Sequence, residues 1–238
     1  MPQIRLSDFI LYLPTLLAGA RLTILLSLGT FCVATVIGLL VALGRLSRFR
    51  ILRILLTVYV EFIRGTPGLV QIYYIFYVLP FWGLTLNAAL AGILGLSLNY
   101  GAYLSEVFRG GINSVPPTQK EAAATIGLSY FQTLRFVILP QAFRNVLPPT
   151  VNYFLSLFKD TSLLSVITIQ ELTFSGLLLI STTFNSFVIL TEIAIIYFVM
   201  CYPIALLSTY LEYRLHRRLR KPGWRVMWRR MTPGLTRA

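Results

Sequence analysis

Charge is scarce in this 238-residue chain. Asp, Glu, Lys and Arg together make up 12% of it, about half the ~25% of an ordinary soluble domain. A water-solvated globular fold is therefore excluded. Acidic residues are scarcer still, 8 against 21 Lys and Arg, for a net charge of +13. There is one histidine, His216, with no partners for acid–base catalysis. The two cysteines, Cys32 and Cys201, both lie inside apolar runs. They read as small buried hydrophobes, and no disulfide or metal-ligand spacing occurs. No Gly-x-x-x-x-Gly-Lys-Ser/Thr phosphate loop is present, so ATP chemistry is not expected of this chain. No Gly-x-Ser-x-Gly elbow is present either, which argues against a hydrolase. The expectation is a non-catalytic protein with no cofactor and no metal. Nucleic acid is not an expected partner, because Lys and Arg fall in the gaps between apolar runs and not along one soluble face.

What the sequence has instead is apolar length. It is 56% hydrophobic with a mean hydropathy of +0.74. A helix needs about 20 apolar residues to cross about 30 Å of hydrocarbon. Residues 22–43, 57–79, 87–108, 146–167 and 186–210 meet that requirement, predicting an all-α integral membrane fold with five transmembrane helices. Arg45, Arg48, Arg50 and Arg53 follow the first span. Arg109, Lys120, Arg135 and Arg144 follow the third, and a run of arginines follows the fifth. The gaps after spans two and four hold no Lys or Arg. The positive-inside rule then puts the amino terminus outside and the carboxy terminus in the cytoplasm. Ahead of the apolar run in residues 1–21 only Arg5 is basic, Asp8 opposes it, and Pro14 interrupts the run. Residues 1–21 are read as a retained segment at the outer interface and not as a cleaved signal, although Ala18-Gly19-Ala20 resembles a processing site. Residues 22–213 form the five-span membrane domain, and 214–238 a basic cytoplasmic tail that touches anionic lipid.

The cytoplasmic gap 109–145 is heavily punctuated. Thr118-x-x-Glu121 has the form of a capping box, Gly127 suits a left-handed helix stop, and Ser129-x-x-Gln132 forms a second box. Pro140 is expected to end the second helix. Two short helices joined at a glycine corner make a stiff knuckle, which a floppy loop does not need.

The knuckle carries a resemblance. Glu121-Ala122-Ala123, three residues, Gly127, nine residues and then Val137-Ile138-Leu139-Pro140 looks like the "EAA" loop of the membrane subunits of ATP-binding-cassette importers. Val137 stands where isoleucine is usual. The stretches "YVEFIRGTPGLVQIYYIFYVLP", "YLSEVFRGGINSVPPTQKEAA", "FKDTSLLSVI" and "LLAGARLTILLS" are similar to the polar amino-acid uptake branch, the histidine/glutamine/arginine permease-like family. The likeness covers roughly residues 15–213. It departs at Gly68, where a larger apolar residue is common, and at Pro117-Thr118 in place of Lys-Gly. The resemblance implies a type I importer: two permease chains, identical or different, about a two-fold, two separate ATPase subunits and an extracytoplasmic amino-acid-binding protein, in a bacterial inner membrane. It implies that Glu121, Ala122, Ala123 and Gly127 couple to the ATPase.

Ionisable residues within spans are candidates for function. Glu61 and Arg64 share a helix face and either pair with each other or serve the substrate. A stripe of Ala88, Gly92, Gly95, Asn99, Ala102 and Glu106 runs down one face of span three, which suits close helix packing but leaves Asn99 and Glu106 unexplained. Lys159 and Asp160 either neutralise one another or open a site for an amino-acid zwitterion. In that site Asp160 or Glu61 takes the ammonium, and Thr161 and Ser162 take the carboxylate through hydroxyls and backbone N–H. With support from the resemblance, the substrate set is Glu61, Asn99, Asp160, Thr161 and Ser162. The loop 168–185 is long enough for a short outer helix. The alternative function is an ion-gradient-driven secondary transporter with Glu61, Glu106 and Asp160 as relay, although no inverted repeat supports it.

Overall fold

The computed structural model describes residues 6–215, all of whose regular elements are helical. In order they are α1 (Leu6–Arg45), α2 (Arg50–Arg64), α3 (Gly68–Tyr73), α4 (Ala88–Asn113), α5 (Pro117–Thr125), α6 (Tyr130–Gln132), α7 (Leu139–Asp160), α8 (Leu172–Thr183) and α9 (Ser186–Leu215). π-helical turns occupy Tyr74–Val78 and Thr133–Ile138, and 3₁₀ turns occupy Leu79–Trp82 and Thr161–Ile167. Of the basic tail assigned at 214–238, residues 216–238, with His216, lie outside the described residues.

Among the described residues three helices are long and apolar enough to cross a membrane: Phe9–Arg45, Ala88–Asn113 and Ser186–Leu215. Tyr130–Ile167 with Leu172–Thr183, bent by 46°, makes a fourth candidate. The second span expected at 57–79 is interrupted. α2 stops at Arg64, α3 restarts at Gly68, and the apolar stretch Gly68–Trp82 alone is short. Pro67 causes the break, since it lacks an N–H and biases Thr66 away from helical backbone.

The seam between α1 and α4 sits at the centre. It is close because both helices present glycine: a Cβ at Gly101 would stand 2.7 Å from Ile37, and one at Gly38 2.8 Å from Leu104. Ser97 donates across the seam to the Thr30 carbonyl at 3.2 Å. A second apolar cluster joins Tyr12, Leu16 and Ala20 of α1 to Leu172, Val188, Ile189 and Ile193. That packing explains a departure from the sequence reading. No boundary appears at residue 21: of the stretch taken as a separate interfacial segment, residues 6–21 are the first part of the 40-residue α1, with Pro14 inside it.

The knuckle differs in two details. α5 begins at Pro117 with Pro116 at its N-cap and no side-chain cap, so the Thr118–Glu121 box is not formed. A proline at the first helical position has no N–H to satisfy, which moves the start ahead of Thr118. Pro140 also fails to stop the helix. The π-helical turn Thr133–Ile138 leads straight into α7, with Pro140 near its start. A widened turn relieves the crowding between a proline ring and the carbonyl four residues back. The second box is formed as read: Ser129 Oγ accepts from Gln132 N and Gln132 Oε1 from Ser129 N. Gly127 is left-handed at φ 79°. Leu128 N donates to Ala123 O and Gly127 N to Ala124 O, each at 3.0 Å, which is the bonding of a Schellman stop.

α8 fills the loop expected at 168–185. Glu171, fully buried, caps it by accepting from Thr173 N at 2.9 Å and Phe174 N at 2.8 Å, and Tyr197 Oη donates to the same carboxylate.

Candidate functional site

The break in the second span is built, not merely tolerated. Ending α2 at Arg64 leaves carbonyls without helical donors. The buried Gln71 supplies them: its Nε2 donates to Ile63 O at 2.8 Å, to Thr66 O at 3.1 Å and to Thr66 Oγ1 at 2.8 Å. Its Oε1 accepts from Asn99 Nδ2 at 3.1 Å, tying the break to α4.

Beside the break lies an open cleft of about 430 Å³ between α2, α3, α4 and α7. Its walls include Arg64, Gly68, Asn99, Tyr103, Tyr153 and Asp160. Asp160 Oδ2 accepts a hydrogen bond from Tyr100 Oη at 2.6 Å, which orients the carboxylate. The Arg64 guanidinium lies 5.6 Å from the centroid of the Tyr103 ring, within cation–π range. Tyr103 in turn stacks on Tyr153 at 5.6 Å and 27°. One cation and one carboxylate thus border the same cleft, each positioned by a tyrosine. A side chain at Gly68 would meet Asn99 at ordinary contact distance, 3.5 Å. The glycine therefore widens the cleft without being sterically required.

The sequence-derived substrate set divides here. Asn99 and Asp160 line the cleft. Glu61 is exposed and outside it, and among the described residues it forms no ion pair with Arg64. Thr161 is fully buried, its hydroxyl donating to Phe158 O at 2.7 Å, and Ser162 is not among the lining residues. Both fall on the 3₁₀ turn after α7, one and two residues past Asp160 and so on other faces of the winding than Asp160 and Leu163, which line the cleft. Lys159 is exposed and makes no ion pair with Asp160. Sequence reasoning left Arg64 out of the substrate set because Glu61, one turn away, looked like its partner. It also missed the three tyrosines, which nothing local distinguishes from lipid-facing aromatics.

The stripe on α4 has two uses. Gly92 meets Leu164 and Ile169, and Gly95 meets Ile72, so its upper part is packing. At its lower end Glu106 pairs with Arg45 of α1 and with Arg109, at 2.6 Å for the latter. Arg45 Nε also donates to Thr57 Oγ1 at 3.3 Å. Three helices are pinned there, just before the chain enters α5. In the knuckle Ala123 is buried and faces inward, whereas Glu121 and Ala122 are exposed. Ile126, Tyr130 and Phe131 stand almost fully exposed around the Gly127 corner. They form an apolar rim that the glycine and capping signals did not reveal.

A membrane-embedded helical bundle with a polar cleft at an interrupted span, and an apolar-rimmed helical corner beyond it, is the layout of a permease that works with other subunits. Residues 34–221 match the family described as binding-protein-dependent transport system inner membrane component. The chain belongs to this family, the permease class of ATP-binding-cassette importers, and the secondary-transporter alternative finds no support. It is 43% identical over 209 residues to the L-cystine transport system permease protein TcyB of Bacillus subtilis, covering 87% of this chain and 89% of that one. It is 36% identical over 210 residues to the glutamine transport system permease protein GlnP of Escherichia coli, covering 87% and 94%. A crystal structure of an amino acid ABC transporter with histidines superposes with a TM-score of 0.84 at 33% identity, over 89% of this chain and 99% of that one. The MetNI methionine ABC transporter, at 15% identity and a TM-score of 0.65, shares the fold.

Proposed function

We propose that this permease moves an α-amino acid, with the zwitterion held between Arg64 and Asp160 in the cleft beside the broken span. The observation that carries the reading is the opposite charge at that cleft: a guanidinium for the carboxylate, a carboxylate for the ammonium, and Asn99 on the same lining. Charges at membrane depth are costly unless they are used or paired. Among the described residues neither of these two has an ionic partner within the protein. The relatives named for cystine, glutamine and other amino acids support the same class.

In this reading α2 with α3 and the turns to Trp82 makes the second of five spans, a discontinuous helix of the kind transporters place at substrate sites. The amino terminus is outside, and α5 with its Gly127 corner faces the cytoplasm. Glu121, Ala122 and the rim of Ile126, Tyr130 and Phe131 dock the ATPase subunit. Ala123 and Gly127 hold the corner rigid, so that closure of the ATPases reaches the spans as rigid motion. A second permease chain completes the pathway. A binding protein delivers substrate near α8, and its bound form supplies the differential affinity that shifts the outward-open state. Membrane lipid surrounds the rest.

The test is uptake of labelled amino acids into proteoliposomes holding the permease, its ATPase and its binding protein. Accumulation that requires ATP and the binding protein, and ignores proton or sodium gradients, is the expected result. Gradient-driven uptake by the permease alone would defeat the reading.

A further inference from the structure

Arg21 is the only cation in the sequence between Arg5 and Arg45, and it lies on an apolar helix that reads as membrane-spanning. It is exposed and forms no ion pair among the described residues. Glu192, an acid on the neighbouring α9, is buried and forms none either. Beside Arg21 the helices α1 and α9 leave an open groove of about 400 Å³. Apart from Arg21 its lining is wholly apolar, with Leu17, Ile24 and Leu25 on one wall and Ile195, Val199 and Met200 on the other.

Depth gives the groove a direction. From Arg21 to Arg45 a continuous helix rises about 36 Å, slightly more than the ~30 Å hydrocarbon layer. With Arg45 at one membrane surface, Arg21 falls at the headgroup level of the opposite leaflet. Ile24, Leu25, Val199 and Met200 then lie on the hydrocarbon side of it. A cation at headgroup depth above an apolar trough matches one ligand chemistry, an anion with an acyl chain beneath it. A free phosphate would use the cation and leave the trough empty. A neutral lipid would fill the trough and leave the cation unpaired.

We propose that the α1–α9 groove is a binding site for one anionic phospholipid, its phosphate on Arg21 and an acyl chain along Ile24, Leu25 and Val199. The site lies away from the cleft of Arg64 and Asp160 and does not depend on what the permease carries. Its assignment to the outer leaflet rests on the orientation proposed above.

Native mass spectrometry of the assembled transporter, exchanged into phosphatidylglycerol or phosphatidylcholine nanodiscs before release, reads the occupancy. Wild type is expected to retain phosphatidylglycerol in preference to phosphatidylcholine. Arg21→Gln should lower retention about five-fold, the scale of one basic contact to an anionic surface, and Arg21→Lys should keep most of it. Val199→Phe, which fills the trough and leaves the cation, should also release the lipid. Arg53→Gln removes the same charge elsewhere and should change nothing. Equal loss in Arg53→Gln, or unchanged retention in both Arg21→Gln and Val199→Phe, would overturn the site. So would efficient disulfide cross-linking of Ile195→Cys to the second permease chain, since a protein would then occupy the groove.

Discussion

The α1–α4 seam and the α2–α3 break meet α4 on different faces and hold it by opposite means. The seam is glycine-lined, with backbones brought together where no Cβ fits. The break is held by one side-chain amide that replaces missing helix donors and by its single bond to Asn99. Close-packed surfaces do not deform continuously. A hydrogen-bonded hinge can exchange partners at little cost, because the amide and water offer the same chemistry. The seam therefore suits a rigid frame and the break suits the part that moves, and the cleft lies against the break.

Two variants sharpen that contrast, and two more probe the knuckle. Gly101→Leu forces a side chain into Ile37 and the Ala34 carbonyl. Overpacking of this kind costs about 3 kcal/mol, and the purified complex should show a clearly lower apparent Tm, with less permease recovered. Gln71→Leu keeps the volume and removes the amide, leaving carbonyls of residues 63 and 66 without that donor. The cost is about 2 kcal/mol, and uptake should fall further than thermal stability does, because the break borders the cleft. If Gln71→Leu lowers apparent Tm as much as Gly101→Leu and leaves uptake intact, the division into frame and hinge is wrong. The smallest effects belong to the knuckle. Ser129→Ala removes a formed cap and should cost about 1 kcal/mol. Thr118→Ala removes none and should stay within about 0.5 kcal/mol. Local protection from hydrogen exchange across residues 117–138 distinguishes the two.

What was legible in the sequence follows the range of each interaction. Gly127 and the Ser129–Gln132 box act within a few residues, and both stand as read. Pro67, with Gly65 and Gly68 close by, is a local helix breaker, but nothing nearby in the sequence showed that Gln71 would rescue the carbonyls. The bond from Tyr100 to Asp160 joins residues 60 apart, and the stacking of Tyr153 beneath Tyr103 depends on how α7 meets α4. Neither leaves a periodic signal. Pro140 and Thr118 were misread for a common reason. Each followed a sound local rule, and a neighbouring structure, the π-turn in one case and Pro117 in the other, offered the chain a better arrangement. Thr161 and Ser162 were grouped with Asp160 because they follow it in the chain, whereas successive residues of a helical turn face different sides. The all-helical fold and the glycine corner were therefore readable, and the cleft was readable only through Asn99 and Asp160.

The most direct test of the zwitterion cleft is ATP-driven uptake by the complete transporter carrying Asp160→Asn. The substitution keeps the side chain's size and a hydrogen-bond acceptor for Tyr100 while removing the charge. Losing a charge-paired contact costs about 2–5 kcal/mol, so uptake should fall at least thirty-fold while the complex still assembles and still hydrolyses ATP. Full uptake with an uncharged residue at position 160 would contradict the account.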